Sequence, residues 1–161
     1  MEAIHVATGK TYVVKRLSKV WLIHLKKVGH ATVKEYALVK LPGTHPGIVG
    51  MHAALQDDIF LYFTLDLALY GDLADLVKKY GSLSPRCARW HTAQTVNTVL
   101  WVYSMDIVHR DLKPENMRLD SEPRIKLTDL SSACLSPDGD LPLRASTFIG
   151  SAAYVSPGRL N

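Results

Sequence analysis

The sequence predicts an α+β fold in which a small strand-rich part is followed by a larger helical part. Two runs of strand length lie within the first 67 positions, and the longest stretch with helical periodicity lies after them. The composition, 47% hydrophobic and 21% charged, is typical of a globular chain that buries one core or two small lobes.

Strands are predicted at two places in the first part. Residues 11–17 form a β-branched and aromatic run that follows a turn-prone segment at residues 8–10. Residues 59–65 form a continuous apolar stretch of strand length.

A helix is predicted between these strands, over residues 33–41. Thr32 can cap its first turn, and Glu35, three residues later, can complete a capping box. Apolar residues in this segment share one helical face. The Pro-Gly pair at positions 42–43 is expected to end the helix.

Two further helices are predicted in the second part. Asp72 can cap a short helical pattern that Gly81 ends. Ser84 followed by Pro85 gives a second cap with proline at the first helical position, and apolar residues recur at three- and four-residue spacing as far as Tyr103. The helix that begins there is the longest one predicted.

Two short strands and a long loop are predicted after this helix. The strands cover residues 117–119 and 125–128, with a turn at residues 120–123 between them. Residues 130–157 are rich in Ser, Pro, Gly and Asp without periodicity, so we expect a mobile loop there.

The sequence also argues against several classes of protein. No apolar stretch has the length needed to cross a bilayer, and the first residues lack the order of a secretory signal. Cys87 and Cys134 lie far apart without metal-ligand spacing, so we expect reduced thiols. The net charge of +4 comes from scattered Lys and Arg, so we expect no nucleic-acid partner. These observations favour a soluble, cytoplasmic protein with no transmembrane segment.

Candidate catalytic residues are concentrated in the run 108–116, which reads Val-His-Arg-Asp-Leu-Lys-Pro-Glu-Asn. Asp111, Lys113 and Asn116 stand at the spacing that transfers a phosphoryl group in protein kinases, and Asp129 follows. Each residue alone would be an ordinary polar loop residue, and the combination is what carries information. The run resembles the catalytic loop of a serine/threonine protein kinase.

This resemblance implies a role for each side chain. Asp111 would be the catalytic base that accepts or orients the hydroxyl proton of a Ser or Thr substrate. Lys113 would contact the γ-phosphate of ATP, and a lysine there resembles the serine/threonine rather than the tyrosine kinases. Asn116 and Asp129 would supply oxygen ligands to Mg²⁺.

Five other residues are assigned roles, and two of them have ordinary alternatives. Lys15 and Glu35 resemble the strand lysine that contacts the α- and β-phosphates and the helix glutamate that pairs with it. The ordinary alternatives are a solvated edge charge for Lys15 and half of a capping box for Glu35. Arg110 resembles the arginine that binds an activation-loop phosphate, and Thr147 is the expected phosphate carrier. His109 is interpreted as a packed structural residue.

Shorter motifs along the chain resemble the phosphoinositide-dependent protein kinases of the AGC group, and this resemblance covers about residues 8–160. These motifs are Tyr12-Val13-Val14-Lys15, His45-Pro46, Leu61-Tyr62-Phe63, Leu135-Ser136-Pro137 and Tyr154-Val155-Ser156-Pro157. The resemblance implies a protein-kinase-like α+β fold, with an N-lobe and hinge over about residues 1–67 and a partial C-lobe over residues 68–161. ATP and Mg²⁺ are the implied cofactors. The implied cofactor-binding residues are Lys15, Glu35, Leu65, Leu67, Asp72, Glu115, Asn116, Thr128 and Asp129.

Several positions depart from the family pattern. No Gly-rich phosphate loop precedes Lys15, so we expect an incomplete two-lobed fold that lacks this hairpin and ends at the activation segment. Ser131 replaces a glycine with positive φ, and Gly158 replaces a glutamate. Arg118 stands where the family has an apolar floor for adenine, and burying its guanidinium would be costly unless the side chain swings out to solvent.

These features leave three functions open. The first is a serine/threonine protein kinase that acts on proteins in phosphoinositide-dependent-kinase-like signalling. The second is a pseudokinase, a regulatory binding module for an active-kinase partner. The third is a truncated kinase fragment that does not fold stably alone.

Overall fold

The computed structural model describes residues 1–41, 45–120, 122, 124–135 and 150–154. Within these residues, the first part of the chain is a four-stranded antiparallel sheet with two helices. The second part contains two helices, one of them the longest described, and two small antiparallel strand pairs. The predicted α+β fold class is confirmed.

The sheet has the strand order β1-β2-β4-β3. Its strands are β1 (Glu2–Ile4), β2 (Thr11–Ser18), β3 (Met51–Gln56) and β4 (Phe60–Asp66), so both predicted strands are confirmed to within one residue. Lys15 of β2 lies opposite Phe63 of β4, which is buried. Residues directly opposite each other project to the same face of a sheet, so Lys15 projects to the same face as the buried Phe63.

Two helices follow β2. Helix α1 (Lys19–His24) begins where the hydroxyl of Ser18 accepts a hydrogen bond from the backbone N–H of Trp21. Helix α2 (Val28–Lys40) buries Ala37 and Leu38 on one face.

The predicted start of α2 is wrong by five residues. The helix begins at Val28 rather than residue 33, and Thr32 lies inside it, where its hydroxyl donates to the carbonyl of Val28 over 3.3 Å. Glu35 is exposed in the helix interior, so it forms no capping box. Ala31, one turn earlier than the predicted core face, is 5% exposed. Its burial favours the longer helix, because tertiary packing overrides local cap signals. The predicted end at residues 42–43 lies outside the described residues.

The second part begins with helices α3 (Leu73–Tyr80) and α4 (Pro85–Ser104). Both predicted caps are confirmed: Asp72 accepts from the N–H of Asp75, and Ser84 accepts from the N–H of Cys87. Gly81 ends α3 with a φ of 77°, a conformation that glycine adopts without strain. In the described part of the chain, no helix is both long enough and apolar enough to cross a membrane.

Two strand pairs frame the candidate site. Strand β5 (Ile107–Val108) pairs with β8 (Cys134–Leu135), and β6 (Met117–Leu119) pairs with β7 (Ile125–Leu127). The prediction of a loop from residue 130 onward is wrong at its beginning, because a 3₁₀ turn at Leu130–Ser132 and strand β8 lie there. Leu130 is 2% exposed, so core packing orders a segment without sequence periodicity. Residues 136–149 and 155–157 of the predicted loop lie outside the described residues.

Among the residues that the structure describes, one hydrophobic core joins the two parts of the fold. The backbone of β7 bonds to the chain that leads into β3, because Leu127 donates to the carbonyl of Gly47 and accepts from the N–H of Val49. A Cβ at Gly47 would overlap the side chain of Thr98, so glycine permits this close approach. The buried members of this core are Ala37, Leu38, Leu41, Ile48, Val102, Ile107, Leu127, Leu130 and Ala133.

Candidate active site

His109 holds the backbone of the loop that follows β5. It is 3% exposed, its Nε2 lies 2.9 Å from the carbonyl oxygen of Thr128, and its Nδ1 accepts from the N–H of Asp111 over 3.3 Å. This arrangement requires the proton on Nε2. Burial lowers the pKa of His109 and outweighs the hydrogen bond to Thr128, so the imidazole is neutral. These contacts give His109 a structural role, in agreement with the interpretation from its apolar neighbours in the sequence.

Arg110 ties this loop to the segment before β8. Its Nε donates to the carbonyl of Ser132 over 2.7 Å, and its Nη2 donates to the carbonyl of Ala133 over 3.0 Å. Its own backbone has a φ of 66°. The guanidinium is thus bound to backbone carbonyls. The predicted phosphate carrier, Thr147, lies outside the described residues, so the phosphate-binding role of Arg110 stays a prediction.

Asp111 is the centre of a hydrogen-bonded cluster. Oδ1 accepts from the Ser151 hydroxyl over 2.9 Å, and Oδ2 lies 3.0 Å from Lys113 Nζ and 3.1 Å from Asn116 Nδ2. Burial alone would raise the pKa of Asp111, but the hydrogen bonds from Lys113 and Ser151 outweigh it, and the pKa lies below its ordinary value. Asp111 is therefore an ionised carboxylate at neutral pH.

Lys113 and Ser151 complete this cluster. Lys113 Nζ donates to the hydroxyl of Ser151 over 2.7 Å, and its hydrogen bond to Asp111 raises the pKa of the ammonium. Ser151 was not predicted as a site residue, because it lies 40 positions from Asp111. The signal available in the sequence was the glycine before it. In the structure Gly150 has a φ of 124°, and a Cβ there would stand 2.6 Å from the carbonyl oxygen of Arg110.

Asn116 links the catalytic loop to the end of β7. It lies in a 3₁₀ turn (Pro114–Asn116) and is 6% exposed. The side-chain Nδ2 of Asn116 donates to the backbone carbonyl of Asp111 over 2.9 Å. The backbone carbonyl of Asn116 accepts from the N–H and from the hydroxyl of Thr128. Because the amide nitrogen is committed to Asp111, the amide oxygen is the atom available to a cation.

Asp129 follows Thr128 in a left-handed conformation, with φ 61° and ψ 66°. Its Oδ1 lies 3.4 Å from Nζ of Lys15, which brings the sheet and the second part of the fold together. Ser131 is absent from the positive-φ positions of the described residues, so the expected strain at this serine does not arise. The expected pairing of Lys15 with Glu35 is not formed, because Glu35 is exposed on α2 and Lys15 pairs with Asp129.

Some of these residues line a cavity of about 390 Å³, a volume within the usual range for small-ligand sites. Lys15, Asn116 and Asp129 line its polar end. A second cavity of about 540 Å³ adjoins it and is lined by Leu67 and Gly71. The other side chains that line the first cavity are Met1, Val13, Val14, Leu38, Val49, Leu65, Asp66, Ala68, Glu115, Arg118, Leu127, Thr128 and Leu130.

Arg118 lines both cavities and is paired. Its Nη1 lies 3.2 Å from Oδ2 of Asp72, and its side chain is 41% exposed. The guanidinium is therefore partly exposed to solvent, as the sequence allowed, and it also has a carboxylate partner that the sequence analysis did not predict.

The donor set suits a hard cation. Asn116 and Asp129 both line the first cavity, and an amide oxygen and a carboxylate are ligands that Mg²⁺ takes together with substrate phosphates. Among the described residues, no group of three or more His, Cys, Asp or Glu side chains could hold a metal by itself. A metal here would need oxygen ligands from a bound phosphate as well.

The α+β fold has two parts with a cavity between them, and a carboxylate, a lysine and an asparagine lie beside that cavity. These features together define a protein kinase domain. The sequence model of the family described as "Protein kinase domain" matches residues 1–161, and the chain belongs to this family. Relatives are named as serine/threonine-protein kinases or as 3-phosphoinositide-dependent protein kinase 1, and this confirms the resemblance to the AGC group and its phosphoinositide-dependent members.

Three relatives illustrate the similarity. The chain is 42% identical to serine/threonine-protein kinase PKH2 of Saccharomyces cerevisiae over 100% of its length, and 44% identical to PKH1 of the same yeast over 96%. It is 38% identical to human 3-phosphoinositide-dependent protein kinase 1 over 96% of its length. The matched region covers 16%, 21% and 28% of these three relatives, so the chain spans less than a third of each.

Proposed function

We propose that this chain carries the phosphoryl-transfer centre of a serine/threonine protein kinase of the phosphoinositide-dependent type. The observation that carries the proposal is the cluster of Asp111, Lys113 and Asn116, whose member Asn116 lines a cavity together with Lys15 and Asp129. The proposal treats residues 1–67 as the N-lobe and hinge and residues 68–161 as a partial C-lobe.

Asp111 would orient the acceptor hydroxyl and take its proton. A lowered pKa keeps the carboxylate ionised, so it is ready to accept a hydrogen bond. The Ser151 hydroxyl, which donates to Asp111 over 2.9 Å, is itself an alcohol of the kind that a Ser or Thr substrate presents. Lys113, 3.0 Å from Asp111, would place a positive charge where the transferred phosphoryl group meets that hydroxyl.

The cavity would hold ATP with its phosphates toward the polar end. Lys15 would contact the phosphates, Asn116 and Asp129 would hold Mg²⁺, and Leu65 and Leu67 would lie near the adenine. The metal, when bound, neutralises charge on the phosphate oxygens. Glu115, Thr128 and Asp72 complete the proposed nucleotide site, with Thr128 acting through the backbone of Asn116. Glu35 would join Lys15 only after a movement of α2.

The substrates would be proteins with Ser or Thr acceptors, and the proposed setting is cytoplasmic signalling. Protein kinases in general use ATP, Mg²⁺ and protein substrates, and the names of the relatives agree with this class. Those names give no support to a regulatory module that serves an active-kinase partner.

A phosphotransfer assay tests the proposal. The purified chain is incubated with ATP, Mg²⁺ and a generic Ser/Thr peptide substrate, beside Asp111→Asn and the control Asp106→Asn. We expect the wild-type chain to turn over and the rate to fall at least about a hundredfold in Asp111→Asn, because general-base catalysis usually contributes at least that factor. Asp106 pairs with Lys40 and not with a residue of this cluster, so its variant should keep the rate. Equal rates for Asp111→Asn and the wild-type chain would contradict the proposal.

A further inference from the structure

The apolar residues that identify α4 in the sequence lie on the outside of the protein. They form an outer stripe of four exposed side chains, Ala93, Val96, Leu100 and Tyr103. The other face of the helix carries its buried residues, His91, Thr98 and Val102. Apolar side chains that are exposed as a group, unlike scattered ones, mark a surface that a partner covers.

The spacing of the outer stripe is that of a coiled-coil seam. Successive members are separated by three, four and three residues, and a repeat of this kind presents a straight seam to a second helix. The positions that flank the seam carry no charge, so a second copy of the same helix would meet no repulsion there. These flanking residues are Trp90, Thr92, Asn97, Val99 and Ser104.

The two ends of α4 lack the side chains that would neutralise the helix dipole. Arg86 and Arg89 lie near the N-terminal end, and the first turn contains no acidic residue. The last turn contains no basic residue. Because cations are favourable near the C-terminal end of a helix and unfavourable near its N-terminal end, each end of α4 is complementary to the opposite end of another copy.

We propose that two copies of this chain associate through antiparallel contact of their α4 helices. A two-fold register centred at the level of Thr98 places Ala93 of one copy against Tyr103 of the other, and Val96 against Leu100. Each contact joins a smaller side chain to a larger one, which favours close packing. This inference does not depend on the proposed function.

The arginines select this arrangement over its alternatives. In the proposed register, Arg89 lies at the C-terminal end of the other copy's helix, where its charge is favourable. A register shifted by one heptad would place Arg86 against Tyr103 and Arg89 against Leu100, which covers charged groups with apolar ones. A parallel pair would bring the arginines of the two copies together, and like charges disfavour it.

Sedimentation equilibrium of the full chain tests the association. We expect the average mass to rise from that of one chain toward that of two as the protein concentration increases. Leu100→Glu should weaken dimerisation at least about tenfold, because it places a carboxylate against Val96 in both symmetric contacts. A chain that stays monomeric at every concentration, or a dimer that Leu100→Glu leaves unchanged, would overturn the proposal.

Leu55→Glu is the matched control. Leu55 lies on β3 and is 65% exposed, against 63% for Leu100, so both variants introduce the same charge at equally open apolar positions. Leu55→Glu should keep the wild-type dissociation constant. An equal weakening by both variants would indicate general hydrophobic association and overturn the proposal. Melting curves check that both variants are folded, as the exposure of the two sites predicts.

Disulfide cross-linking tests the orientation. A mixture of Ala93→Cys and Tyr103→Cys should form a mixed disulfide on mild oxidation. Each variant alone should form no more dimer than the wild-type chain, whose Cys87 and Cys134 set the background. Two copies of position 93 are ten residues apart along the antiparallel pair, or about 15 Å, which is beyond the reach of a disulfide. Self-cross-linking of each variant, as a parallel pair would give, would overturn the proposal.

Discussion

Ser151 and Asp111 are joined by a hydrogen bond of 2.9 Å from the serine hydroxyl to Oδ1. The same hydroxyl accepts from Lys113 over 2.7 Å, so one small side chain spans the two charged groups of the catalytic loop. The backbone of Gly150 lies directly against Arg110, which places this serine close to the loop. Ser151 thus positions the carboxylate and the ammonium relative to each other.

Removing the Ser151 hydroxyl is expected to slow phosphoryl transfer. Ser151→Ala leaves Lys113 3.0 Å from Asp111 but removes the hydroxyl that bonds to both side chains. Misplacement of a catalytic group costs about tenfold to a hundredfold in rate. Ser151→Thr keeps the hydroxyl and should keep most of the activity. The measurement is kcat and KM for a peptide substrate, and equal rates for the alanine variant and the wild-type chain would contradict the positioning role.

Burial of His109 predicts a loss of stability at acidic pH. Its folded pKa lies below the ordinary value of 6.5, so the unfolded chain binds a proton that the folded chain resists. The free energy of unfolding should therefore fall as pH drops below about 6.5. His109→Gln, which cannot take that proton, should show a flatter decline in urea titrations between pH 8 and pH 5.

His45 and His91 also have pKa values lowered by burial, and they remain in both proteins. The difference between the two pH profiles therefore reports His109 alone. Parallel profiles would show that His109 is not the group that titrates.

Loss of the Asp66 charge is expected to loosen the connection between the sheet and β7. Asp66 Oδ2 accepts from the N–H of Gly50 over 3.0 Å and lies 3.3 Å from Lys126 Nζ, while Oδ1 lies 2.8 Å from His52 Nε2. Asp66→Asn should lower the free energy of unfolding by about 1–3 kcal/mol, because Lys126 is left without its carboxylate. Chemical denaturation measures this change, and Lys126→Met should add little on top of it.

Gly47 allows a close contact with α4 that a larger residue would break. Gly47→Ala should destabilise the chain by about 1–3 kcal/mol, because the new methyl group overlaps the side chain of Thr98. Thr98→Ala removes the nearest atoms and should recover part of that loss in the double variant. Thermal unfolding of the two single variants and the double variant measures the coupling, and strict additivity would argue against the contact.

Local signals in the sequence predicted the second part of the fold well. Asp72 and Ser84 act through N–H groups only three residues away, so the cap and the helix it begins are written in adjacent positions. The start of α2 goes with the burial of Ala31, and a local cap pattern does not reveal burial.

The candidate site shows the same division. The identities of Asp111, Lys113 and Asn116 follow from one short run, and their mutual contacts span at most five positions. The contact of Lys15 with Asp129 spans 114 positions, and the pairing of Arg118 with Asp72 spans 46. Nothing in the local pattern could indicate that Lys15 would meet Asp129 instead of Glu35.

The shared core has a mechanical consequence for α2. Leu38 of that helix and Leu130, the residue after Asp129, belong to one close-packed cluster, and such packing transmits strain instead of absorbing it. A rotation of α2 that carried Glu35 inward would push on Leu130 and shift the adjoining carboxylate. The helix and the turn that carries Asp129 would then move together, coupled through the leucines of this core.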